Sequence, residues 1–430
     1  MQNWIVSCGL QAAATDTHIV MQNELLPNLF RTEFSKITAV LCKRFGLDQM
    51  SLAEDIVSDT FLLAAETWGL QGIPSNPTAW LYTVAKNKAL DQLRRQQLFE
   101  QKIAPQIGLT ERSASSREDE IDLSLANIKD SQLQMMFAVC HPAIAPEAQI
   151  GLALRILCGF GIEEIADAFL TNKEVINKRL YRAKTSLRKH QVQLVLPPLQ
   201  EISARLDTVL HTLYLLFNEG YYSASQNAPL RKDLCLEAMR LAYLLLDDER
   251  TALPKVKALL ALMCFHASRF EARTHTDQEA PIQYADQDQS LWDRDLIRQG
   301  ELFLNQAAIG EHASQFHFEA AIAYWHTRSD TVTEKWPQIL GLYDALLNEV
   351  NSPITALSRA YAVSKVKGVP AGIAAAEALA LEDNHYYHSL LGQLYQETEP
   401  EKGVDHLLQA LQLAKTEADK ATIKKLLEGN

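Results

Sequence analysis

Gly161-Ile162-Glu163-Glu164-Ile165-Ala166-Asp167-Ala168-Phe169, followed by Leu170-Thr171-Asn172 and then Lys173-Glu174-Val175-Ile176-Asn177-Lys178-Arg179-Leu180-Tyr181-Arg182-Ala183-Lys184, reads as two short helices joined by a turn. Ile162, Ile165, Ala166 and Phe169 make the apolar stripe of the first helix, and Thr171 and Asn172 supply turn and cap chemistry for the second. In the second, Ile176, Leu180, Ala183 and Leu187 follow the i, i+4, i+7, i+11 pattern that buries one face. The other faces are basic: residues 171–190 carry seven bases against the single acid Glu174. A buried stripe behind a basic face, entered through a capped turn, is a helix-turn-helix pattern, with a solvated basic helix as the bland alternative. Lys173, Asn177, Lys178 and Arg182 are expected nearest the major groove, because a recognition helix reads bases from its N-terminal half. Lys184, Arg188 and Lys189 are expected to hold phosphates.

Charge sets this segment in context. The 430-residue chain has a net charge of −12, but residues 1–195 sum to −1 and residues 196–430 to −11, so the acidic excess lies in the back part. With 47% hydrophobic and 22% charged residues the chain can fill several cores and is not a disordered one. Apolar runs such as Leu241 to Leu246 are far too short for a membrane span, so no membrane association is expected. Six cysteines with no Cys-x-x-Cys pair predict neither a disulfide framework nor a four-thiolate zinc site, and a cytoplasmic location fits them.

Working outward, residues 24–101 read as helical, broken by one loop of turn formers from Gly69 to Pro77. Ile56, Val57, Thr60, Phe61, Ala64 and Trp68 form a core stripe, while Asp55, Asp59, Leu62 and Glu66 line up on another face. That acidic stripe with a central leucine suits a basic partner surface, or else is simply solvated. Asn76 and Pro77 are placed to cap and begin a helix that carries Trp80, Leu81, Val84, Lys86, Asn87, Lys88, Asp91, Arg94 and Arg95. An aromatic near the start of a basic helix offers a stacking surface beside an electrostatic track, as single-stranded DNA binding requires. The alternative is that Trp80 is a core aromatic.

Residues 102–130, with Pro105, Gly108, Ser113–Ser116 and an acidic run, read as a linker, and residues 131–193 as a second helical block closed by Pro197-Pro198. Beyond it, helical periods alternate with breaks at Gly220, Pro229, Pro254, Pro281, Pro353, Gly368 and Pro400, and no strand-like alternation appears; the predicted fold class is all-α. Leu357 and Tyr361 recur 34 positions later as Leu391 and Tyr395, each followed by a glycine break, Gly368 and Gly403. That period is expected of tetratricopeptide helix pairs, against a generic bundle. Met21-Gln22-Asn23 repeats Met1-Gln2-Asn3, so residues 1–23 read as an extension or a start-site ambiguity, without the basic region of a signal peptide.

Catalytic patterns are wanting: no His-Glu-x-x-His, Walker loop, Gly-x-Gly-x-x-Gly or Gly-x-Ser-x-Gly occurs, and Cys140-His141-Pro142 reads as structural. No cofactor, no metal and no enzymatic activity are expected.

Ala53 to Phe61, then Trp80 to Asn87 with Asp91 and Arg94-Arg95, resembles region 2 of extracytoplasmic-function (ECF) sigma factors, and the helix-turn-helix with Arg179-Leu180-Tyr181-Arg182-Ala183-Lys184 resembles region 4. The remainder, including Leu213 to Tyr221 and Asp286 to Asp293, is similar to the long tetratricopeptide-like extension of one ECF subgroup. The resemblance implies region 2 over 24–101, region 4 over 131–193 and the extension over 194–430. It further implies that Asp55, Asp59, Leu62 and Glu66 meet the β′ clamp helices of core RNA polymerase, with the β flap as a second contact. On the same basis the 69–79 loop and Asn76, Trp80, Lys86, Asn87, Lys88, Arg94 and Arg95 would hold the −10 element of promoter DNA. Lys173, Asn177, Lys178, Arg179, Arg182, Lys184 and Arg188 would read or grip the −35 element. Thr171-Asn172 departs from the usual Ser-plus-small turn, and Asn177 stands where a base is common. The acidic C-terminal part is expected to regulate activity or to dock a protein or small-molecule partner. A helix-turn-helix repressor fused to a helical scaffold is the competing reading.

Overall fold

The computed structural model describes residues 25–99, 121–169, 171–222, 231–274, 282, 284–310, 312–328 and 333–428. The 1–23 extension and most of the expected linker lie outside the described residues. Among those described there are helices and turns but no strand, as the sequence predicts. The chain divides into two compact units, Met1–Thr212 and Leu213–Asn430.

The first unit opens with α1 (25–45), which ends at Gly46, whose φ of 94° a side chain would resist. This break was not foreseen, since residues 24–101 read as interrupted only at the 69–77 loop. A short 3-10 turn (Leu47–Gln49) leads into α2 (Met50–Gln71), and the loop proper is shorter than expected because α2 runs to Gln71. Helix α3 (Pro77–Leu98) starts where Asn76 and Pro77 predict, with the Asn76 side chain accepting a hydrogen bond from the Ala79 N–H at 3.0 Å. The α2 stripe Ile56, Val57, Thr60, Phe61, Ala64 and Trp68 is buried, whereas α3 buries Leu81, Ala85 and Ala89.

Helix α4 (Leu125–Val139) begins six residues before the expected end of the linker, because Ser124 caps it. Helices α5 (Pro146–Leu152), α6 (Ile162–Ala168) and α7 (Lys173–Lys189) follow, and α7 packs on both α5 and α6. Cys140 and His141 lie in the turn after α4; burial holds the Cys140 thiol at about 12, so no thiolate forms there.

The boundary between units falls within α8 (Leu199–Tyr222) rather than at residue 194. Gly220 is therefore not a break: it sits in α8 where an added Cβ would come within 2.7 Å of the Arg231 carbonyl oxygen. The second unit continues with α9 (Lys232–Leu244), α10 (Pro254–Ala267), α11 (Phe270–Thr274), α12 (Arg294–Ala307), α13 (Gln315–Thr327), α14 (Lys335–Glu349), α15 (Pro353–Lys367), α16 (Val369–Glu377), α17 (His385–Tyr395), α18 (Pro400–Leu413) and α19 (Glu417–Leu427). Pro254, Pro353 and Pro400 each open a helix, as their missing N–H allows, and the breaks expected at Pro229 and Pro281 lie outside the described residues. Gly368, at φ 90°, separates α15 from α16 as predicted. Gly403 does not separate helices: it lies inside α18, where an added Cβ would stand only 3.0 Å from the Gly392 carbonyl oxygen, and its lack of a side chain lets α17 and α18 approach closely. Leu357, Leu391 and Tyr395 are buried in one core with Ile373 and Ala376.

Candidate functional site

Along α2, register decides which side chains can meet a partner. Asp55, Asp59, Leu62 and Glu66 are all exposed on the face opposite the core stripe, and Leu62 retains 59% of its surface. Asp59 lies 3.9 Å from the ammonium of Lys88, so the outer faces of α2 and α3 adjoin at this point. Trp80 is half-buried and meets the buried Trp68 edge to face, with centroids 5.4 Å apart; it is fixed on one side and accessible on the other. Asn76 is exposed but its carbonyl is occupied in capping, which leaves its amide hydrogens for a ligand. Asn87, Arg94 and Arg95 are exposed, Arg94 pairing with Asp91 at 3.2 Å, and Lys86 and Lys88 are half-buried.

On α7 the burial pattern of Ile176, Leu180, Ala183 and Leu187 follows the sequence register. Asn172 caps the helix, accepting from the Val175 N–H at 3.0 Å. Lys173, Asn177, Lys178 and Arg182 are exposed, Lys173 standing 3.6 Å from Glu163, while Arg179 lies over the Phe169 ring. The last turns differ. Lys184 forms an ion pair with Glu54 of α2, and Arg188 donates to the Asp48 carbonyl at 3.1 Å. Two of the three expected phosphate contacts, Lys184 and Arg188, are thus turned toward residues 48–54 in this structure, while Lys189 is exposed and the N-terminal half of α7 stays open.

Glu54 was missed by sequence reasoning, and it organises this contact. It is buried, accepts from Arg155 Nε at 2.9 Å as well as from Lys184, and so neutralises two cations at once. Arg155 also donates to the Phe160 carbonyl at 3.0 Å and lies over the Phe34 ring. Around it, Lys43 bridges to Asp130, and Arg31 reaches Glu164 and the face of Phe160. The signal was present in the sequence. Met50, Glu54, Val57, Phe61, Ala64 and Trp68 occupy one i, i+4, i+7, i+11 stripe, and a carboxylate in an apolar stripe must meet a cation.

Residues 30–99, which contain the α2 and α3 faces just described, match the Sigma-70 region 2 family. This match supports a sigma-factor family for the segment it covers. Sigma-70 region 2 implies interaction with core RNA polymerase, and the sigma-70 family comprises transcription factors rather than enzymes. Residues 205–308, from α8 to the segment after α12, match a family of unknown function (DUF6596). The uncharacterized protein R00370 of Rhizobium meliloti (strain 1021) is 34% identical over 350 residues, covering 80% of this chain and 82% of that protein. No solved structure matches. No helix among the described residues is long and apolar enough to cross a membrane, and no group of His, Cys, Asp and Glu among them could hold a metal ion.

Proposed function

We propose that this protein is an ECF-type sigma factor that loads onto core RNA polymerase in the cytoplasm and directs promoter-specific initiation. The observation that carries the reading is the exposed row Asp55, Asp59, Leu62 and Glu66 within the segment matching Sigma-70 region 2. A helical face with three carboxylates around one exposed leucine is complementary to a basic, partly apolar partner surface, which in this reading is the β′ clamp helices. The accessible side of Trp80, with Asn87, Arg94 and Arg95 further along α3, would capture an unstacked base of the −10 element and track its backbone. The open N-terminal half of α7 would enter the major groove at the −35 element, with Asn177 and Arg182 as base-edge readers. Lys184 and Arg188 can reach phosphates only once released from Glu54 and Asp48, so promoter engagement requires α7 to separate from α2.

The second unit is proposed as a tetratricopeptide-like extension: α15/α16 and α17/α18 are successive helix pairs whose Leu357 and Leu391 share one core. The helix-turn-helix repressor reading leaves the region 2 match unused.

Binding of purified core polymerase tests the reading. The full chain should bind, and Leu62→Arg should weaken binding at least tenfold without loss of helical signal, as expected when a central anchor of an interface is replaced by a charge. Equal binding by the variant would remove the α2 face from the interface.

A further inference from the structure

The second unit holds a cavity of about 950 Å3, near the upper end of small-molecule sites. Four of its lining rings form one continuous wall. Tyr284 meets His326 with centroids 5.1 Å apart, His326 meets Trp336 at 5.9 Å, and Trp336 meets Tyr361 at 5.6 Å, each pair edge to face. All four side chains are half-buried, so the wall keeps accessible ring surface. A cation lies on the ring at either end of this chain of contacts: the Arg269 guanidinium is 5.6 Å from the centre of the Tyr284 ring, and the Lys365 ammonium 5.1 Å from that of Tyr361.

The acids and bases of the lining are unequally provided for. Asp419 is met by His385 at 3.6 Å and accepts from Thr416 Oγ1 at 2.6 Å. Glu319 accepts from the Tyr214 hydroxyl, and burial raises its carboxyl to about 7, so about half of it carries a proton at neutral pH. The two bases have no comparable partner: among the described residues no carboxylate forms an ion pair with Arg269 or Lys365. Arg269 donates to His266 Nδ1 at 3.0 Å, and burial holds that imidazole well below its ordinary range, so it accepts as a neutral group and leaves the guanidinium charge in place. Lys365 is exposed and keeps its water, whereas Arg269 is half-buried and guanidinium is the more weakly hydrated cation. A counterion therefore gains most at Arg269.

We infer that this cavity binds a small planar aromatic anion, its ring stacked on the Tyr284–His326–Trp336–Tyr361 wall and its acid group on Arg269. Half-buried rings offer a flat apolar surface for stacking, and a guanidinium forks onto a carboxylate or a phosphate equally well. A neutral ring leaves Arg269 without a counterion, and an anion without a ring leaves the wall bare. The acidic excess of residues 196–430, −11 in all, disfavours a long polyanion and favours one compact acid group. Lys365, at the exposed end, adds only a solvent-screened attraction. The inference rests on the second unit alone and is independent of the transcription reading.

The test is calorimetric titration of the full chain with adenosine 5′-monophosphate and 2-naphthoate, an aromatic phosphate and an aromatic carboxylate. Adenosine and 2-naphthol supply the rings without the acid group, and inorganic phosphate and acetate the charge without the ring. At least one aromatic anion should bind roughly tenfold or more tightly than its neutral counterpart and than its ring-free ion, the difference expected for one charge-assisted contact or one stacked ring. Which of the two binds tells a phosphate ligand from a carboxylate one. Arg269→Gln should weaken that anion roughly tenfold or more and leave the neutral ring unchanged, with circular dichroism confirming its helical content. Lys365→Gln, at an exposed position, should weaken it less than Arg269→Gln does. Absence of binding by both aromatic anions at millimolar concentration would overturn the assignment, and so would equal binding of the neutral rings to the wild-type chain, a comparison that needs no variant. Such a failure would leave polymerase binding unaffected, so the two readings are tested separately.

Discussion

Replacing Glu54 by glutamine should loosen the first unit by a predictable amount. Glu54 is 7% exposed and accepts from both Arg155 and Lys184, whose side chains are 17% and 20% exposed. Breaking a fully buried ion pair by removing one partner costs about 3–5 kcal/mol, because the remaining charge is left uncompensated. Here both cations keep about a fifth of their surface in water and glutamine retains one acceptor, so about 2 kcal/mol is expected. For a unit of this size that lowers the Tm by about 4–8 °C. Urea unfolding followed by circular dichroism would read it, and a double-mutant cycle with Lys184→Met should show coupling of at least about 0.5 kcal/mol. Because the pair is largely shielded from solvent, the loss should persist at high salt. A Glu54→Gln chain within about 0.5 kcal/mol of wild type, the range of ordinary surface changes, would refute the reasoning.

Asn172→Ala should cost about 1 kcal/mol by removing the α7 cap, read as a lower midpoint in denaturant. Gly403→Ala should destabilise the second unit by about 1–3 kcal/mol, since the new methyl meets the Gln396 backbone nitrogen at 2.9 Å and the helices must part; its Tm reports this. Arg182→Ala should relax sequence preference at one position, whereas Lys189→Ala should weaken binding uniformly across sequences and reduce its salt slope by about one; binding titrations across salt and sequence separate them. The raised Glu319 means the folded chain holds a proton that the unfolded chain has lost between pH 4.5 and about 7. Its contribution is therefore fully present below 4.5 and lost as pH rises through 7, so Glu319→Gln should gain stability over wild type from pH 5 to pH 8 in urea titrations.

Helix positions and burial in α2 and α7 were legible because each has a largely apolar stripe at helical spacing, and the stripe alone fixes which side chains face outward. The Asn76 and Asn172 caps were legible because a short polar side chain before a helix has few other roles. Long-range pairing was not. Lys184 reads as a phosphate contact from its neighbours, and only the fold brings it to Glu54, 130 residues away. The glycines show the same limit. Gly368 and Gly403 look alike as breaks, yet one occupies a left-handed turn and the other a close helix contact that depends on its partner helix. The cavity of the second unit was invisible for the same reason, since its wall draws residues from helices far apart in the chain.

The central claim is tested most directly by run-off transcription with purified core RNA polymerase on DNA carrying the promoter of this protein's own target, with core binding scored on the same samples. A discrete transcript that requires both core and this chain, and is lost in Trp80→Ala while core binding persists, is the predicted result. Absence of both transcript and core binding would contradict it.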